Sequence, residues 1–143
     1  MIASISQLIA QAESSSNPWA VRFEPAYTPN PGAVMHYAQA HGVTTATAAK
    51  LLSMSWGMFQ EMGDNLVRAG LATTLLEFAA DPQAQQAFFS KYLVADGMGD
   101  FTLHDLVTDP DKRLEFARLY NGPGEPQAYA AYLMRVYQQS GGV

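Results

Sequence analysis

Glu13 is where this sequence first offers chemistry. An amphipathic segment from Ile2 to Ala12 runs straight into this glutamate, and the chain then breaks at Ser14-Ser15-Ser16-Asn17-Pro18. The spacing predicts a carboxylate at the C-terminal end of a helix with one apolar side. A negative charge is disfavoured there, because the helix dipole is itself negative at that end. A glutamate so placed is expected to keep its proton to higher pH than a solvated one, as a general acid requires. An arbitrary glutamate at a helix end is more often a solvated last-turn residue. The rest of the sequence must therefore decide for Glu13.

Two glycine-rich breaks pair an aromatic side chain with an amide. Ser55-Trp56-Gly57-Met58-Phe59-Gln60 ends in a residue that both donates and accepts hydrogen bonds, and Tyr120-Asn121-Gly122-Pro123-Gly124 sets a tyrosine and an asparagine at a helix terminus. Sugars are bound by this mixture, with aromatic faces stacked on the ring and amides reading hydroxyl and acetamido groups. Each break taken singly also reads as plain structure, with Phe59 and Tyr120 in the core and Gly122 as a helix C-cap.

The elements that must position these residues are nearly all helical. Ile2, Ile5, Leu8, Ile9 and Ala12 repeat at helical spacing. The stretch from Trp19 to Phe23 reads as a short extended piece, followed by a proline-rich loop through Gly32. Helices are expected over 33–40, from a Thr44 or Thr45 cap to Leu52, over 66–69, and over 75–80. Asp81-Pro82 and Asp109-Pro110 are start signals, an N-cap followed by proline at the first helical position. They open helices running to about Ala95 and to Asn121, with a short helix over 101–107 between them and a last one over 127–138. Strand signals are almost missing, and no internal repeat or linker is visible. The expectation is an all-α fold forming one domain over residues 1–143.

Composition narrows the function classes. There is no cysteine, which excludes disulfides, thiolate metal sites and a cysteine nucleophile. His36, His41 and His104 are too scattered to suggest a metal site; no metal and no cofactor is expected. The net charge of −5 argues against nucleic-acid binding. Neither a signal peptide nor a membrane span is read in the sequence.

The motifs together resemble the lysozyme-like superfamily, and the phage-type N-acetylmuramidase domain in particular. They are Glu13-Ser14, Phe23-Glu24-Pro25, the block from Ser55 to Asn65, and Tyr120 to Gly124. The resemblance spans nearly the whole chain. The block from Ser55 to Asn65 is specific, whereas Glu-Ser alone is weak. Lytic transglycosylases of the same superfamily show related motifs in the same order. Three departures stand out, the first being a loose match over the region from Tyr27 to Leu52. Pro25-Ala26-Tyr27 replaces an expected Arg-His, which removes a basic partner for Glu24, and the acidic balance is unlike that of many wall-degrading enzymes.

The resemblance implies a lysozyme-like fold with a substrate cleft and a peptidoglycan hydrolase cleaving the β-1,4 bond between N-acetylmuramic acid and N-acetylglucosamine. Glu13 would be the general acid and Glu24 the first choice of second carboxylate, ahead of Asp64 and Glu61; a solvated face is the expected place of Glu61. Gln60 and Asn121 would hold substrate amides or the glutamate, Tyr120 would pack under Glu13 or bond to it, and Tyr129 would lie near the site or in a core stripe. Ser14 would orient the chain beside Glu13, or be a plain turn serine. The expected setting is a monomeric phage endolysin or virion-associated lysin, made in the cytoplasm, delivered to the wall by a holin-like, virion or secretion partner, and not inserted in the membrane. A transglycosylase forming 1,6-anhydromuramic ends, a non-catalytic wall-binding module on the same fold and a plain helical interaction domain are the competing readings.

Overall fold

The computed structural model describes residues 1–142. In chain order the elements are α1 (Ile5–Ser14), β1 (Val21–Phe23), α2 (Pro31–His41), α3 (Thr45–Leu52), β2 (Met54–Trp56) and β3 (Glu61–Met62). They continue as α4 (Gly63–Arg68), α5 (Leu75–Ala79), α6 (Pro82–Ala95), α7 (Leu103–Thr108), α8 (Pro110–Asn121) and α9 (Pro126–Gln139). The expected helical class holds. It is supplemented by a three-stranded antiparallel sheet in the order β1-β2-β3. With strands of three, three and two residues, no run is long enough to display a two-residue alternation.

Helix starts follow the local chemistry. Asn30 accepts from the Ala33 amide, Thr44 from Thr47, Thr74 from Glu77 and Asp81 from Ala84. Thr102 and Asp105 form a reciprocal capping box, and Asp109 accepts from both Asp111 and Lys112. Each bond pairs one of the amides that a helix start leaves without an intrahelical acceptor.

The chain divides into two compact units. The first joins Met1–Ser16 to the chain from Gln86 onward, and the second is Asn17–Gln85. In the first unit α1 packs on α9, and α8 packs on both α7 and α9. Leu8, Ile9, Phe89, Met98, Leu106, Phe116 and Leu133 are its most deeply buried apolar side chains. In the second unit α2, α3 and α4 pack together beside the sheet. Its core holds Ala48, Leu52, Trp56, Phe59, Leu66, Leu75 and Phe78, and the buried Tyr37 hydroxyl accepts from the Leu75 amide at 3.1 Å.

Candidate active site

Glu13 lies in the last turn of α1, half-buried, as its spacing predicts. The helix ends in a left-handed turn: Ser15 has φ 54° and Ser16 φ 60°, and their amides return to the Gln11 and Ala10 carbonyls. The α9 helix closes the remaining end. Tyr132 donates its hydroxyl to the Ala12 carbonyl at 2.6 Å, pairing a carbonyl that a helix end leaves open. One turn earlier, Tyr129 donates its hydroxyl to Glu13 Oε1 at 2.8 Å. Burial first, then the neighbouring Tyr120 and the Glu13 carboxylate, push the Tyr129 phenol far above its ordinary range. It therefore acts as a fixed donor.

Tyr120 holds that donor in place. Its ring stacks on Tyr129 with centroids 5.8 Å apart, and on Phe116 at 5.8 Å and 7° between planes. Phe89 and Tyr92 meet it edge-on. Asn121 closes α8 and is exposed, just before Gly122 at φ 83°. The Ser14 hydroxyl donates to the Ala10 carbonyl at 3.3 Å. Glu13, Ser14, Tyr120, Asn121 and Tyr129 thus all belong to the first unit.

Glu24 and Gln60 belong to the second. Glu24 follows β1, and Arg22 donates from Nε to its Oε1 at 2.7 Å. The basic partner that the Pro25-Ala26-Tyr27 departure removes is thus supplied from two residues upstream. The Gln60 side chain is committed within its own unit: Nε2 donates to the Ala20 and Gly57 carbonyls, and Oε1 accepts from the Ser55 hydroxyl at 2.8 Å. Those bonds hold Gln60 at φ 52°, a conformation unusual for a residue with a side chain. The amide ties β1 to the β2–β3 turn.

The two weaker carboxylate candidates also have definite places. Asp64, 2% exposed, accepts from the Tyr27 hydroxyl at 2.6 Å, the Asn30 amide and Arg68, and so fastens the proline-rich loop to α4. Glu61 departs from its expected solvated face. It stands opposite Trp56 in the sheet register, and its Oε2 is buried with no hydrogen-bond partner. Burial raises its carboxyl to about 7.

Sequence reasoning missed Gln85. Fully buried, it donates to the carbonyls of Pro18, Phe78 and Ala79 and accepts from the Met58 amide. It also explains Gly57, which has φ 83° and where an added Cβ would lie 2.6 Å from Gln85 Oε1. Nothing in the spacing separates Gln85 from its neighbours Gln83 and Gln86. Among the described residues, no group of three or more histidines and carboxylates could hold a metal ion, and no helix is long and apolar enough to cross a membrane.

A half-buried carboxylate at a helix end, held by a tyrosine whose burial disfavours loss of its own proton, is an arrangement able to manage a single proton. The family model described as N-acetylmuramidase matches residues 6–141. The chain is also 28% identical over 140 residues to the endolysin of Enterobacteria phage PRD1, covering 92% of each chain. No solved structure matches it significantly. With the family model covering almost its whole length, the chain belongs to the N-acetylmuramidase family.

Proposed function

We propose that the protein is a phage lysin that hydrolyses peptidoglycan at the β-1,4 bond between N-acetylmuramic acid and N-acetylglucosamine, with Glu13 as the general acid. The observation that carries this reading is the Tyr129 hydroxyl on Glu13 Oε1 at 2.8 Å, in a chain of the N-acetylmuramidase family. The bond fixes the orientation of the carboxyl group that carries the proton. As the bond from the muramic C1 to oxygen breaks, that proton passes to the departing oxygen and positive charge spreads over the sugar ring. Water then adds to C1 and surrenders a proton to a second carboxylate. Glu24, paired with the Arg22 guanidinium, is the candidate for that base. Tyr120 and Tyr129 are positioning residues in this reading, with Ser14 and Asn121 at the margin of the site. The name of the similar phage PRD1 endolysin supports the phage setting; in this reading, delivery to the wall falls to a holin-like or virion partner.

Turbidity of purified wall suspensions tests the reading. The wild type clears them, and Glu13→Gln, which keeps the shape and loses the proton, lowers the rate at least about 100-fold. An intact suspension with wild type at every pH overturns the hydrolase. Mass spectrometry of the released fragments separates two outcomes. Reducing muramic ends support hydrolysis; 1,6-anhydro ends mean that the muramoyl 6-hydroxyl attacks instead and that Glu24 is not the base.

A further inference from the structure

We propose that the segment from Trp19 to Phe23 is a stacking strip that docks the glycan strand of peptidoglycan; this rests on the peptidoglycan reading above. β1 is an edge strand, and Val21 and Phe23, two apart, stand on one face of it, opposite Trp56 and Met54 of β2. Along this row the apolar character runs from inside to outside. Trp56 is 2% exposed and donates its indole N–H to the Leu51 carbonyl, whereas Val21 is 45% exposed, Phe23 46%, and Trp19, just before the strand, 63%. The second unit therefore buries one of the chain's two tryptophans as core and leaves the other in water. An exposed aromatic edge invites sheet-to-sheet association unless something uses it.

The chemistry of the strip selects its occupant. A pyranose ring offers a flat C–H face that stacks on an aromatic ring and a polar rim that stays in water, which suits isolated, half-exposed rings better than a continuous greasy patch would. Peptidoglycan adds peptide stems that carry carboxylates. One cation stands at the strip in a chain of net charge −5: Lys50 Nζ lies 5.7 Å from the centre of the Phe23 ring, whereas Arg22 falls on the other face of the strand and is paired with Glu24. It meets a stem carboxylate while the rings meet the sugars. A lipid surface is disfavoured, since stable attachment to anionic headgroups takes a larger basic cluster.

The test uses Trp19→Ala, Phe23→Ala, the double variant and Lys50→Glu, each in the full chain with and without Glu13→Gln, so that binding is read on walls that are not consumed. Each single change weakens co-sedimentation with purified peptidoglycan by about 3- to 10-fold, and the double variant by more. Soluble muropeptides shift the emission of Trp19 to the blue and shield it from acrylamide, a change absent in Trp19→Ala. Because these side chains are exposed, the melting temperatures stay close to wild type; Lys50→Glu, which changes charge without touching the rings, gives a second reading should an aromatic variant fold poorly. Equal binding and equal clearing by the double variant and by Lys50→Glu overturn the strip and leave the hydrolase standing. Walls bound through Trp19 but never cleared by wild type overturn the hydrolase and leave the strip standing. A blue shift produced by phosphatidylglycerol vesicles and not by muropeptides, or by raising the protein concentration alone, also overturns the strip, in favour of a membrane or a second copy of this chain.

Discussion

At the scale of single residues, the most informative contact is the one between Tyr129 and Glu13. Its two members are far apart in sequence, yet the hydroxyl meets the carboxylate at 2.8 Å. A donated hydrogen bond favours the ionised carboxylate over the protonated one. Removing it in Tyr129→Phe should therefore extend the alkaline limb of the pH–activity profile upward, because a general acid works only while it holds its proton. Loss of a fixed orientation should meanwhile lower the maximal rate by about 10-fold. Clearing rates measured from pH 4 to pH 9 check both effects; a purely structural tyrosine would lower the rate without moving the limb. Glu13 itself is legible in the sequence, since the break from Ser14 to Pro18 ends the helix just past it. Its tyrosine partner is singled out only by the family resemblance; by spacing alone Tyr129, Tyr132 and Tyr137 share one helix, and only packing selects among them.

At the scale of elements, the small sheet explains the residues that the sequence leaves ambiguous. Register sets Glu61 opposite Trp56, where its Oε2 has no partner. The consequence for stability has a definite sign. The folded carboxyl titrates at about 7 against an ordinary 4.5, so its protonated form is the one the fold prefers. The stability is fully present below pH 4.5, falls between 4.5 and 7, and stays low above that. The shift amounts to about 3 kcal/mol, as an order of magnitude. Thermal melts of Glu61→Gln against wild type read this directly. The variant should be close to wild type at pH 4.5 and clearly more stable at pH 8. A variant no more stable than wild type at pH 8 would contradict the burial argument. The helices were far easier to anticipate than the sheet. Asp81-Pro82, Asp109-Pro110 and the threonine caps act within three residues, whereas β1 and β2 meet across thirty residues of intervening chain.

At the scale of the whole molecule, charge and connectivity dominate. Thirteen acidic residues against eight basic ones leave a net charge of −5, and an anionic wall repels such a protein at long range. Raising the salt from about 10 mM to about 100 mM shortens the reach of that repulsion from about 30 Å to about 10 Å. Clearing of wall suspensions should speed up by about 2-fold or more over that range; a steep slowing would show that local cations, not the net charge, govern encounter. Connectivity matters as well, because the unit that carries Glu13 is assembled from both ends of the chain, Met1–Ser16 and the segment from Gln86 onward. A chain ended before Pro126 would lose Tyr129 and Tyr132 together, and with them the closure of the α1 terminus.

By itself the sequence determined the helical class, the position of nearly every helix and the helix-end carboxylate, because caps, prolines and apolar spacing act over a turn or two. It also carried the family resemblance. Tertiary structure alone decided which polar groups are spent on the fold. Gln60 and Gln85 satisfy backbone groups in the second unit, Asp64 fastens a loop, Arg22 stands by Glu24, and Glu61 is buried without a partner. An amide or carboxyl has the same composition whether it faces water, a substrate or a backbone carbonyl. What it does depends on which distant segment folds against it, and local spacing does not encode that.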